Sequence, residues 1–177
     1  MTLKSTAVTA AALSLVFTGA AFAGDISEQA VLDAQNAWGK GIVDIATMHE
    51  NGDDFEARAK EHIETLYAYG DTAVMFKPTL AAKDQFRESF DEALSYFVGT
   101  KGTEDSGFAI KGWTKVRWEN NGIYTADDTA MAMGNYFFTG PDGKEVKVEY
   151  TFGYVKDSAG NLKINLHHSS LPYAPTK

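Results

Sequence analysis

Leu162-Lys163-Ile164-Asn165-Leu166-His167-His168-Ser169-Ser170-Leu171-Pro172 closes the chain's patterned region, and it holds two of the four histidines side by side. The aliphatic residues alternate, so the stretch reads as a strand. Its alternate side chains share a face. On strict alternation Leu162, Ile164, Leu166, His168 and Ser170 point one way, and Lys163, Asn165, His167 and Ser169 the other. The apolar face then ends in a histidine and a hydroxyl. A buried face that turns polar without changing side is how a dry pocket acquires its polar end. A strand fraying into solvent would give the same letters.

Working backwards, three more strands precede this one. Phe108–Glu119, Thr129–Thr139 and Glu145–Lys156 are separated by the turn signals Asn120-Asn121-Gly122 and Gly140-Pro141-Asp142-Gly143, with Asp157-Ser158-Ala159-Gly160 before the last strand. Short turns between consecutive strands predict an antiparallel meander. Upstream, Thr72–Phe76 is a short strand that Pro78 ends by removing a ladder donor. Three helices are expected before the meander. The first is capped by Ser27 and runs to about His49. The second starts at Asp53 or Asp54 and closes at Gly70. The third spans about Lys83–Phe97, with Phe86, Phe90, Ala93, Leu94 and Phe97 on one stripe. On that wheel Tyr96 and Arg87 sit at the stripe's two edges, where side chains reach a cavity rim. His49 and His62 are assigned to solvated helix faces. The fold class is α+β: three N-terminal helices laid on a curved, mostly antiparallel sheet, leaving a cone.

Met1–Ala23 has a basic start at Lys4, a short apolar run and Ala21-Phe22-Ala23 before Gly24, the pattern of a secretory signal peptide. Residues 24–177 are then one exported domain, expected in the periplasm of a Gram-negative cell. A net charge of −8 argues against nucleic acid and anionic membrane surfaces as partners. The sequence contains no cysteine, which removes disulfides, thiolate nucleophiles and sulfur-ligated metals. His167 and His168, as strand neighbours, point apart and cannot readily chelate one ion, so neither metal nor cofactor is expected. No phosphate loop, nucleophile elbow or carboxylate pair with a recognisable role occurs. The chemistry left over is a set of hydroxyls and cations at element ends: Thr79, Tyr96, Ser170, His168, Lys77 and Arg87. Such a set suits a small polar or anionic ligand held by hydrogen bonds.

The segments Val74-Met75-Phe76-Lys77-Pro78-Thr79, Phe86-Arg87, Ala93-Leu94-Ser95-Tyr96-Phe97 and His167-His168-Ser169-Ser170-Leu171-Pro172 together resemble the iota-class carbonic anhydrases, in particular the branch that works without metal. The likeness covers essentially the whole exported part. The His-His-Ser-Ser ending is also similar to the association domain of calmodulin-dependent kinase, and both belong to the nuclear-transport-factor-2-like (NTF2-like, SnoaL-like) cone folds. The resemblance implies hydration of carbon dioxide to bicarbonate by hydroxyls that orient a water. Carried over by residue, it assigns catalysis to Thr79, Tyr96, His168 and Ser170. Lys77, Arg87, His167 and Ser169 are expected to bind the substrate, and His168 is the natural candidate for proton acceptor, with the tyrosine hydroxyl behind it. The choice of Ser170 over Ser169 rests on strand parity, which a bulge would reverse. Two other functions remain open: a non-enzymatic ligand-binding or assembly module, and an isomerase, which would want a buried carboxylate base. The meander carries more apolar residues than one layer of helices covers, so a homodimer through the outer sheet face is expected.

Overall fold

The computed structural model describes residues 25–175, so the signal-peptide expectation for Met1–Ala23 lies outside the described residues. Helix α1 (Glu28–Asn51) starts where the Ser27 hydroxyl accepts from Ala30 N–H and stops at Gly52, whose φ of 75° lets the cap donate back to His49 and Met48 carbonyls. Helix α2 (Phe55–Leu66) is capped by the Asp54 carboxylate accepting from Ala57 N–H. It ends earlier than Gly70 because Tyr67 is already extended and bridges Ile164, with Ala68 N–H donating to the Ile164 carbonyl.

Strand β1 (Met75–Lys77) follows, and then α3 (Phe90–Val98). The helix expected from Lys83 begins only at Phe90. Ser89 and Glu92 form a reciprocal capping box there, which fixes the first turn. Phe86, counted into the apolar stripe, is 55% exposed on an irregular segment instead. The meander is β2 (Lys115–Thr125), β3 (Thr129–Thr139), β4 (Glu145–Lys156) and β5 (Leu162–Ser170). Phe108–Thr114 is not strand: Phe108 and Ala109 donate to the Tyr96 and Phe97 carbonyls, tying the segment to α3. Nor is Asn120-Asn121-Gly122 a turn. It is a bulge inside β2 opposite Gly134, where a Cβ would meet the Glu119 carbonyl at 2.2 Å.

The sheet order is β1-β5-β4-β3-β2, with β1 parallel to β5 and every other pair antiparallel. The helices cover one face. Trp38 of α1 fills the centre of that interface. The rings of His62, Phe97, Trp118, Tyr136, Phe138, Phe152 and His167 all lie within 6.5 Å of it, centroid to centroid. Cutting such a residue to alanine typically costs about 3–5 kcal/mol, so this cluster anchors helices to sheet.

His62 belongs to that cluster, not to a solvated face. It is 1% exposed, and Gly41 of α1 makes room for it: a Cβ there would stand 2.1 Å from its Nδ1.

Candidate active site

Strand β5 changes face halfway. Gly153 of β4 faces Leu166 while the next residue, Tyr154, faces Ile164, which leaves Asn165 as the extra residue of a bulge. Before the bulge Ile164 is buried; after it, His167 and Ser169 are buried, at 2% and 3% exposure. His168 is exposed and Ser170 half-buried on the outer face, where the Ser170 hydroxyl donates to Glu149 at 3.2 Å. The expected inward pair His168 and Ser170 is therefore corrected to His167 and Ser169. An exposed His168 cannot act as proton acceptor inside the cone.

Lys77 follows the same logic. It pairs with His168 in the parallel β1–β5 ladder, beside the inward pair Phe76 and His167, so it lies on the outer face. Arg87 does not lie on a helix edge, since it precedes α3, but it does reach a cavity wall, lining the cleft between α2, α3 and the loop 99–105. Its guanidinium is buried, 2.5 Å from Asp105 and 2.6 and 3.0 Å from the Asp84 and Phe86 carbonyls, and it lies 5.9 Å from the centre of the Tyr96 ring. Asp105 in turn accepts from the Ser95 hydroxyl at 2.7 Å. Arg87 is thus a buried pairing group behind Tyr96. Asp105, a buried carboxylate near Tyr96, is committed to Arg87 and is no free base.

Inside the cone Thr79, His167 and Ser169 come together around two residues outside the sequence motifs, Tyr136 and Tyr67, with Tyr96 alongside. Tyr136 of β3 is 2% exposed. Its hydroxyl lies 3.4 Å from His167 Nε2, and burial raises its pKa, an effect that the Ser169 and Thr79 side chains beside it partly offset. On the far side of the imidazole, Tyr67 Oη lies 2.8 Å from His167 Nδ1 and accepts from Trp38 Nε1 at 2.9 Å. The signal for Tyr136 was available in the alternation of β3, where Ala130, Ala132, Tyr136 and Phe138 form the buried face. Tyr67 carried none, because it lies just past the end of α2.

Burial sets the ionisation of the group. It holds the Tyr67, Tyr96 and Tyr136 hydroxyls well above the ordinary phenol range and His167 well below the ordinary imidazole range, with His168 and His62 adding to the latter. All are neutral near pH 7. Hydrogen-bond counting then fixes the tautomer. The Tyr67 oxygen already accepts from Trp38, so its proton goes to His167 Nδ1, and Nε2–H faces the Tyr136 oxygen. That leaves the Tyr136 proton for the Thr79 and Ser169 side. Tyr96 lies across Phe76 from this chain, with its oxygen facing the backbone N–H groups of Leu80 and Thr79.

The wide clefts of the surface are elsewhere. One of about 770 Å³ runs between α2, α3 and the loop 99–105, and one of about 390 Å³ lies on the outer sheet face beside His168 and Ser170. A cluster of neutral hydroxyls in a dry interior suits something of a few atoms. Among the described residues, no group of three or more histidines and carboxylates converges as metal ligands would.

The model of the family described as "Metal-independent carbonic anhydrase" matches residues 29–171. The chain belongs to the metal-independent carbonic anhydrase family. It is 42% identical over 153 residues to the metal-independent carbonic anhydrase of Nostoc sp. (strain PCC 7120), a match covering 84% of this chain and 75% of that one. Among solved structures, the iota-carbonic anhydrase from a cyanobacterium complexed with bicarbonate superposes with a TM-score of 0.84 at 38% identity, covering 90% of this chain and 100% of the other. A putative calcium/calmodulin-dependent protein kinase II association domain from Xanthomonas campestris shares the fold, at a TM-score of 0.56 and 21% identity over 84% and 89% of the two chains. The iota-class carbonic anhydrase expected from sequence is thus the family found, and its α+β cone is the fold.

Proposed function

We propose that this chain is an enzyme that hydrates carbon dioxide reversibly to bicarbonate, in a dry cluster made by Thr79, Tyr96, Tyr136, Ser169 and neutral His167. The observation that carries the assignment to these residues is the Asn165 bulge, which turns His167 and Ser169 toward Tyr136. Bulk water has a pKa of about 15.7, and neutral hydroxyls cannot lower it as a metal charge would. What they do is hold one water at a fixed distance from carbon dioxide and place donors where negative charge grows on the oxygens. Phe76 and Phe152, packed on either side of His167 at 4.4 and 4.2 Å, keep that space apolar. His167 is a poor resting place for the released proton because burial disfavours its charged form. Hydroxyls that each donate and accept pass the proton on, and half-buried Thr79 is where the chain of rotors meets solvent.

Support for the reaction comes from family membership and from the identity to a protein named for it. The test is stopped-flow hydration by protein treated with a chelator and checked by elemental analysis. Full activity without stoichiometric metal supports the reading. Loss of activity restored by zinc or manganese overturns it. A non-enzymatic module would show binding without turnover.

Two further features of the reading concern the chain's surroundings. The outer sheet face exposes Met131, Met133 and Tyr124, at 52%, 54% and 59%, and Met75 at 59%. A patch of that kind on an acidic protein fits pairing of two copies through this face, which light scattering at micromolar concentration checks. The leader pattern of residues 1–23 fits export to the periplasm, checked by cell fractionation.

A further inference from the structure

Glu104 sits on the loop between α3 and β2, and its carboxylate accepts from three consecutive backbone N–H groups: Ala82 at 3.0 Å, Lys83 at 3.0 and 3.1 Å, and Asp84 at 2.8 Å. Successive amides pointing into one concavity form a ready anion site, and bonds to an ionised acceptor are about twice as strong as neutral ones. Here the anion is a side chain of the same protein. What it grips is the segment that carries Thr79.

That segment has little of its own to hold it. From Ala82 to Phe86 every residue is exposed, and its large apolar side chains, Leu80 and Phe86, are 46% and 55% exposed. Its far end is tied down, since Arg87 N–H donates to the Phe76 carbonyl at 2.8 Å and the guanidinium is held by Asp105. Glu104, by contrast, stands on an ordered base. Gly99 N–H donates to Ser95, Asp105 N–H to the Thr103 hydroxyl, and Phe108 N–H to the Tyr96 carbonyl. The carboxylate therefore transmits the position of α3, which carries Tyr96, to residues that begin three places after Thr79.

We propose that Glu104 is a positioning residue for the reaction: it latches residues 82–84 to the α3 side of the molecule, and so holds the Thr79 hydroxyl against Tyr136 and the Thr79 backbone against Tyr96. Glu104 touches none of the reacting groups itself. The inference rests on the reading of Thr79, Tyr96, Tyr136 and Ser169 as the reacting cluster. A misplacement of about 1 Å in such a cluster costs on the order of a hundredfold in rate.

The experiment compares Glu104→Ala, Glu104→Gln and the control Glu56→Gln, a neighbour on the same cleft outside the latch. Each is measured by residue-resolved amide exchange and by stopped-flow hydration of carbon dioxide. Glu104→Ala should speed exchange of the Ala82, Lys83 and Asp84 amides by roughly a hundredfold while the Ala93 and Phe138 amides keep their rates. It should also lower kcat by about tenfold or more with KM little changed. Glu104→Gln keeps an acceptor oxygen without the charge and should fall between parent and alanine variant in both readouts; it carries the test alone if Glu104→Ala does not fold. Glu56→Gln should match the parent. Unchanged exchange at residues 82–84, or faster exchange with kcat within about twofold of the parent, overturns the latch. If the parent itself fails to hydrate carbon dioxide, the functional reading has failed, and the Thr79 methyl resonance decides the latch. A shift in Glu104→Ala supports it, and an unmoved resonance overturns it.

Discussion

Tyr67 Oη lies 2.8 Å from His167 Nδ1 while accepting from Trp38 Nε1 at 2.9 Å. This pair of bonds assigns His167 a single tautomer, with Nε2 protonated and aimed at Tyr136. A neutral imidazole fixed this way is a rigid strut between two tyrosines. Because burial disfavours its charged form, nitrogen NMR should show His167 in the Nε2–H form unchanged from pH 8 to pH 5. A titration near the ordinary imidazole value of about 6.5 would contradict the assignment.

Tyr67→Phe removes the hydroxyl that both Trp38 and His167 use. Two buried nitrogens lose their partner, which typically costs about 1–3 kcal/mol each when no water replaces it. Denaturant unfolding should register a loss of that order, and hydration should slow because His167 is free to turn. An unchanged unfolding midpoint would mean that water enters in place of the hydroxyl.

Tyr136→Phe tests a residue that the sequence motifs did not single out. Its hydroxyl lies 3.4 Å from His167 Nε2, on the side of Thr79 and Ser169. Removing a donor that serves the transition state in a water-excluded site costs about 2.7–4 kcal/mol, so kcat should drop on the order of a hundredfold or more. The double variant Tyr136→Phe with Thr79→Ala should lose much less than the sum of the two, since both act on one water. Strict additivity would separate Thr79 from this chain.

His62 makes acid stability a sharp reporter. Burial pushes its pKa down to about 3, and neither ring nitrogen has a hydrogen-bond partner among the described residues. The unfolded chain binds a proton near pH 6.5 that the folded chain refuses until about pH 3. Stability is therefore fully present above pH 6.5 and declines as pH falls through that window, at up to roughly 1.4 kcal/mol per pH unit from this group. Thermal unfolding of His62→Leu should show a shallower acid slope. The parent and variant running parallel from pH 7 to pH 4 would contradict the burial argument. By the same packing, Gly41→Ala should destabilise instead of giving the usual helix gain, because its Cβ would stand 2.1 Å from the His62 ring.

The sequence carried most of the architecture, and the reasons for the rest are local. The bounds of β3, β4 and β5 follow from alternation and from the turn residues between them. Spacing predicts a longer α3 because Phe86 fits the helical rhythm of Phe90 and Phe97, yet Ser89 and Glu92 close a capping box that starts the helix after it. Phe108 and Trp113 look like strand aromatics and predict an earlier start for β2, while the loop they sit on folds back along α3. The motifs single out Thr79 and Tyr96, which the fold places beside Tyr136 and Phe76. The inward pair of β5 is not legible, because periodicity counts residues and a bulge adds one. Nothing in the string Leu162-Lys163-Ile164-Asn165-Leu166 states that Asn165 is the extra residue; it takes Gly153 on the neighbouring strand to show it.

The most direct measurement of the account is stopped-flow carbon dioxide hydration by chelator-treated parent, Ser169→Ala and Ser170→Ala side by side. The parent should be active. Ser169→Ala should lose on the order of a hundredfold or more, as a buried hydroxyl aimed at Tyr136 would. Ser170→Ala, which removes only an outer-face bond to Glu149, should stay close to the parent. A larger loss from Ser170→Ala than from Ser169→Ala would contradict the claim that the face turned inward by the Asn165 bulge carries the reaction.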